Sequence, residues 1–152
     1  MKEIQQLDQK GLDFIINEEG VVLHPYLDSV GIPTIGVGCT YYKGGTKVKM
    51  TDPSITKEQA IDMFKNIVKT YELGVYSVTR DDITQNQFNA LVSFTYNEGV
   101  NAFKHSTLLK LVNRNPNDNN ITHEFLQWTR AGSDTNRLKS RRIHEAQLYF
   151  TK

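Results

Sequence analysis

Six of the ten glycines in this chain (Gly20, Gly31, Gly36, Gly38, Gly44 and Gly45) fall between residues 20 and 45, together with Pro25 and Pro33. Glycine and proline both oppose helix interiors, the first through backbone entropy and the second through its missing amide. The stretch Val21 to Met50 must therefore be made of short extended pieces joined by turns. Thr34-Ile35-Gly36-Val37-Gly38 is β-rich, and Asp28-Ser29-Val30-Gly31 and Lys43-Gly44-Gly45 are turn signals. This pattern predicts a small, antiparallel, hairpin-rich sheet.

Helical patterns flank that stretch. Ile4, Leu7, Phe14 and Ile15 have helical spacing, which predicts one helix over Lys2 to Glu19 closed by Gly20. Gly11 weakens it by ~1 kcal/mol relative to Ala. Thr56-Lys57-Glu58-Gln59 is a capping box, followed by an apolar face of Ile61, Phe64, Ile67, Val68 and Tyr71 up to Gly74. A second box, Thr84-Gln85-Asn86-Gln87, lies between Ile83 and Phe88 and starts a helix that runs to Gly99. Ser106 begins another. The Asn- and Pro-rich stretch from Asn113 to Asn120 is a loop by composition, and two more helices are expected over Thr122 to Thr129 and Arg137 to Phe150. The outline is α+β, a single domain over residues 1–152. Its small β-lobe covers about 20–52, its helical lobe 1–19 and 53–152, and a cleft between the lobes is the natural place for a ligand.

Bulk properties exclude more than they identify. With 38% hydrophobic and 23% charged residues the chain is an ordinary globular protein, and its net charge of +1 argues neither for nor against a polyanionic partner. The distribution is uneven. Residues 103–152 carry nine Lys or Arg against four Asp or Glu, and Arg130, Arg137, Lys139, Arg141 and Arg142 crowd together. Those cations are either a solvated helix face or a patch for an anionic polymer. The lone cysteine, Cys39, allows no intramolecular disulfide. Nothing from Met1 to Asn17 resembles a signal peptide or a membrane span, which suggests synthesis in the cytoplasm and no stable membrane insertion.

Familiar catalytic motifs are missing. His123-Glu124 and His144-Glu145 lack the second histidine of a zinc helix, and there is no Walker loop, GxGxxG or GxSxG. No cofactor or metal is expected. What remains is a pair of carboxylates. Glu19 stands at the negative end of the first predicted helix, which disfavours the ionised form and suits a general acid. Asp28 lies nine residues on, in a turn where water can keep it ionised, and Thr34 follows with a hydroxyl able to hold a water. Carboxyls set apart by their surroundings are the acid and base of a glycosidase. On these grounds alone, Glu18 is an equal candidate.

The combination Glu19-Gly20, Pro25-Tyr26-Leu27-Asp28 and Thr34-Ile35-Gly36-Val37-Gly38 resembles the active-site signature of the phage-type lysozymes, the endolysins of glycoside hydrolase family 24. The stretch from Gln87 to Gly99 resembles that family's central helix. So, in the same order, do Phe103, Ser106-Thr107-Leu108-Leu109, Trp128, Ala131-Gly132 and Arg141-Arg142. The resemblance implies a lysozyme-like two-lobe fold, with Glu19 as general acid and with Asp28 stabilising the developing positive charge or directing a water that Thr34 helps to hold. It also implies inversion, and so a carboxyl separation of ~6.5–9.5 Å. Tyr96, Asn97 and Ser106 would line the saccharide cleft, although helix packing for Tyr96 and an N-cap for Ser106 explain them equally well. Arg137 is a possible partner for Glu19. Two positions depart from the pattern: Cys39 stands where many relatives have histidine, and Ser133 replaces a glycine.

The implied function is hydrolysis of the β-1,4 link between N-acetylmuramic acid and N-acetylglucosamine. The partners are then peptidoglycan glycan strands rather than nucleic acid, and the protein is a monomer acting on the wall after release. A lytic transglycosylase is the nearest alternative chemistry. A non-catalytic wall-binding module and a nucleic-acid-binding domain are the alternatives from other classes.

Overall fold

The computed structural model describes residues 3–152. It groups the chain into one unit of Asp13–Lys69 and another of Thr70–Lys152 with the segment ending at Leu12. Along the chain the elements are α1 (Gln9–Glu19), β1 (Val22–Leu27), β2 (Pro33–Gly36), α2 (Lys57–Tyr76), α3 (Gln85–Glu98), α4 (Val100–Lys104), α5 (Thr107–Arg114), α6 (Asn120–Phe125) and α7 (Lys139–Tyr149). This is the expected α+β composition with a small antiparallel sheet.

In the Asp13–Lys69 unit, β1 and β2 form one hairpin in which Tyr26 pairs with Thr34 and Leu27 with Pro33. The register slips between Val22 and Tyr26, where Pro25 has no amide to give the ladder. The sheet has two strands. Gly36 and Gly38 both take positive φ, +69° and +67°, so the chain folds back through a tight Ile35–Cys39 bridge instead of extending a third strand. Ile35, Cys39, Val48 and Met63 pack together beneath the hairpin, with Tyr42, Ile55 and Ile67 against them. The capping box at Thr56 forms as expected, with Gln59 N donating to the Thr56 hydroxyl (3.1 Å) and Thr56 N to the Gln59 side chain (2.8 Å).

In the other unit α3 and α7 are the central pair, with α6 packed on α7 and α5 on α6. The Thr84 capping box is present. Several boundaries differ from expectation, each for a local reason. The start of α1 expected at Lys2 lies outside the described residues, and the helix instead begins at Gln9. There the Asp8 carboxylate accepts from the Gly11 amide at 2.9 Å and from Asn89 Nδ2 at 2.8 Å, acting as an N-cap. Glycine at 11 follows from that contact, since a Cβ would stand 2.5 Å from Asn89 Oδ1. Gly74 does not end α2, which continues to Tyr76; a Cβ there would meet Val100 at 2.9 Å. The short α4 after Gly99 carried no sequence signal of its own. Helix α6 begins early, at Asn120, whose amide donates to the Asp118 carboxylate at 2.9 Å, and it ends at Phe125.

The basic cluster needs the largest correction. Arg130, Arg137 and Lys139 are exposed, but Arg141 is 8% and Arg142 0% exposed. These two arginines form neither a solvated face nor a polymer-binding patch. Glu145, itself 0% exposed, accepts from Arg142 Nη1 at 2.8 Å, Arg141 Nε at 3.1 Å and the Ser93 hydroxyl at 2.6 Å. Arg142 also donates to Glu98 Oε1 (2.9 Å), to the Trp128 carbonyl (2.8 Å) and to Asn97 Oδ1, and its guanidinium lies over the Phe94 ring. Buried charge survives only when paired in this way. Glu145→Ala removes the carboxylate that two buried guanidinium groups share, and should lower stability by about 3–5 kcal/mol in urea unfolding monitored by circular dichroism. A loss below about 1 kcal/mol would mean that the cluster behaves as a surface pair.

Candidate active site

The three positions expected to carry chemistry all lie in the Asp13–Lys69 unit. Glu19 is the last residue of α1, stopped by Gly20, which takes φ +75° and donates its amide to the Ile16 carbonyl at 2.8 Å. The half-buried Glu19 side chain rests on the backbone of Gly38, where a Cβ would stand 2.6 Å from Oε1 and 3.1 Å from Cδ. Glycine is therefore required at 38 by the left-handed backbone and by the carboxyl lying on it. This contact distinguishes Glu19 from Glu18: Glu19 is the carboxyl that meets the folded-back glycine segment.

Asp28 opens the hairpin turn and also holds it. Its Oδ1 accepts from the amides of Val30 and Ile32, both at 2.9 Å, while its backbone amide donates to the Ile32 carbonyl and its carbonyl accepts from Gly31 N. Such an Asx arrangement fixes the side-chain rotamer. Thr34, 2% exposed, donates its hydroxyl to the Ile32 carbonyl at 2.8 Å, which leaves the oxygen's lone pairs as acceptors.

Sequence reasoning gave Tyr26 no role beyond its place in the motif. It is the cross-strand partner of Thr34. Burial first, then the carboxylates of Glu19 and Asp28, push its phenol above the ordinary tyrosine value. Glu19 and Asp28 are thus both within electrostatic reach of one side chain. The signal that could have found Tyr26 is the alternation of β1, which puts it on the same face as Thr34 across the hairpin. Cys39, the departure beside the motif, belongs to the hydrophobic cluster; its Sγ is 3.8 Å from the Val37 carbonyl and 2% of the residue is exposed.

In the other unit Tyr96 packs edge-on against Tyr71, with ring centroids 5.0 Å apart. Asn97 is oriented by the guanidinium of Arg142. Ser106 caps α5, accepting from Leu109 N at 3.1 Å and donating to the Phe103 carbonyl at 2.7 Å. The packing and capping explanations for Tyr96 and Ser106 thus have direct structural counterparts. Trp128 is likewise a packing residue, its ring perpendicular to that of Phe94 at 5.3 Å. Among the described residues no group of three or more His, Cys, Asp or Glu side chains is placed to hold a metal ion.

Residues 16–145 match the phage lysozyme family. The endolysin of Salmonella phage P22 is 36% identical over 148 residues, covering 97% of this chain and all of that protein. The Bacillus phage PZA endolysin is 33% identical over 148 residues; the match covers 95% of this chain but only 55% of that longer protein. Among solved structures, the endolysin from Escherichia coli O157:H7 phage FAHEc1 superposes with a TM-score of 0.89 at 37% identity, covering 99% of this chain and 96% of that one. A muramidase domain from Asticaccaulis excentricus gives 0.80 at 27% identity, covering 98% of this chain and all of that one.

The Gly38 contact can be tested directly. An alanine there must take φ +67°, at a cost of about 1–2 kcal/mol, and must push the Glu19 carboxyl from 2.6 Å out to ordinary contact at 3.4 Å or beyond. Gly132→Ala is the control, because its φ of +60° lies in the same left-handed region and nothing stands within 4 Å of an added Cβ. We expect similar stability losses in both variants and a displaced Glu19 side chain only in the crystal structure of Gly38→Ala. An unmoved Glu19 in that structure would refute the contact.

Proposed function

We propose that this chain, which belongs to the phage lysozyme family, is an endolysin that hydrolyses the β-1,4 bond between N-acetylmuramic acid and N-acetylglucosamine in bacterial peptidoglycan. The observation that supports the reading is a helix-end carboxyl, Glu19, lying on Gly38 just past a hairpin that bears the turn-locked Asp28 carboxylate and the Thr34 hydroxyl.

Glu19 is the general acid, protonating the glycosidic oxygen as the bond to the leaving sugar breaks. Asp28 serves the opposite face of the sugar ring. With Oδ1 held by the turn amides, Oδ2 is the oxygen that receives a proton from the attacking water or faces the oxocarbenium-like charge. Thr34, whose hydroxyl hydrogen is directed at the Ile32 carbonyl, offers its oxygen as acceptor to the other hydrogen of that water. A water held between Asp28 and Thr34, with its lone pair toward the anomeric carbon, attacks opposite the departing oxygen and inverts the configuration. Tyr96 and Asn97 contribute to saccharide binding; the hydroxyl of Ser106, held at both ends, contributes by holding α5.

The protein acts as a monomer that meets the wall after release from the compartment where it is made. Among the described residues no helix is long and apolar enough to cross a membrane.

Hydrolysis is checked on the products. Digestion of purified sacculi should give muropeptides with reducing ends in mass spectrometry, and 1,6-anhydro ends would instead mean a lytic transglycosylase. Glu19→Gln should lower the rate of reducing-end release by at least about 100-fold while still sedimenting with the walls. Wild-type lysis by that variant would remove Glu19 from the role of acid. Loss of binding together with lysis would mean that the side chain is needed to form the site.

A further inference from the structure

We propose that Tyr26 is a positioning residue of this site, its hydroxyl orienting the carboxylate and the attacking water served by Asp28 and Thr34. The inference rests on the glycosidase reading above and goes beyond its three residues.

Three observations converge on Tyr26. It pairs directly with Thr34 across the hairpin, and directly opposed residues of an antiparallel pair project from the same face with their Cβ atoms about 4.5–5.5 Å apart. It precedes by two residues Asp28, which opens the turn directly after β1. The negative charges of both Glu19 and Asp28 act on its phenol. Tyr26 therefore shares its surroundings with all three residues assigned to the chemistry.

The same surroundings fix what the phenol can do. Burial and the neighbouring negative charges hold it protonated, so it is neither a base nor a nucleophile. It is an O–H donor on a stiff ring with two rotatable bonds. A neutral donor beside carboxylates restricts their rotamers and strengthens as a carboxylate concentrates charge. Asp28 is anchored to the backbone through Oδ1 only. A second donor reaching the site from β1 supplies what the turn lacks, a restraint on the working end of the group. Such a restraint acts on orientation in the transition state and not on how tightly the glycan binds.

Tyr26→Phe separates the hydroxyl from the ring. With soluble uncrosslinked glycan strands as substrate and reducing-end release as the readout, kcat should fall about tenfold with KM within about twofold. The thermal midpoint should stay at the wild-type value, since the ring and its packing are kept. Tyr26→Leu, which removes the ring as well, should lose both kcat and stability. Wild-type kcat in Tyr26→Phe would overturn the proposal and leave the ring as a packing element. So would a raised KM at unchanged kcat, which would make the hydroxyl a uniform sugar contact, and so would a kcat loss matched by an equal loss in thermal stability. Wild type and Glu19→Gln are run alongside: if wild type releases no reducing ends, the glycosidase reading fails, a result distinct from any failure of Tyr26.

Discussion

A guanidinium shut away from solvent, that of Arg142, must find acceptors for the N–H groups it carries. The chain supplies them from well-separated stretches: Glu145 one turn further along α7, Asn97 and Glu98 at the end of α3, and the Trp128 carbonyl beyond α6. Each of those groups is held in turn by the ion it serves. The end of α3, the start of α7 and the segment after α6 must therefore meet in one arrangement, because any other leaves a charge buried without a partner. The Phe94 ring beneath the guanidinium and the Trp128 ring across Phe94 complete the arrangement with apolar surface. Hydrophobic packing alone tolerates sliding of one helix on another. This cluster does not.

That cluster is also where sequence reasoning failed most clearly. Arg141 and Arg142 sit in a basic run at the start of a helix, and local pattern gives such residues to water. Their partners Ser93 and Glu98 lie more than forty residues away, and nothing local indicates the pairing. Features closed within one turn were legible: the capping boxes at Thr56 and Thr84, the Gly20 stop and the Ser106 cap are satisfied by residues three or four positions away. Features closed by distant contacts were not. Gly11 and Gly74 look like helix breakers and are clearance for Asn89 and Val100.

The site divides along the same line. Asp28 and Thr34 lie on a turn and strand that glycine and proline placement outlined, and their proposed roles rest on spacing and resemblance. The distinction between Glu18 and Glu19 was not present in the residues alone, because both end the same helix; it came from the spacing shared with the family signature, and the carboxyl that lies on Gly38 is that of Glu19. Tyr26 was in plain view within the motif and acquired significance only once the register paired it with Thr34. Cys39 illustrates the converse. A residue that departs from the family beside its signature looks like altered chemistry, yet its side chain joins Ile35, Val48 and Met63 in apolar packing.

Asp28 carries two obligations on two oxygens. One closes a turn through the amides of Val30 and Ile32, and the proposed chemistry asks only for the other. In a descendant of this chain that no longer cleaved glycan, selection for a folded hairpin would still favour aspartate or asparagine here, because either offers an oxygen to the two turn amides. The survival of this residue in a related sequence is accordingly poor testimony that the sequence encodes a working enzyme. Glu19 is better testimony, since the helix ends at Gly20 whatever side chain precedes it.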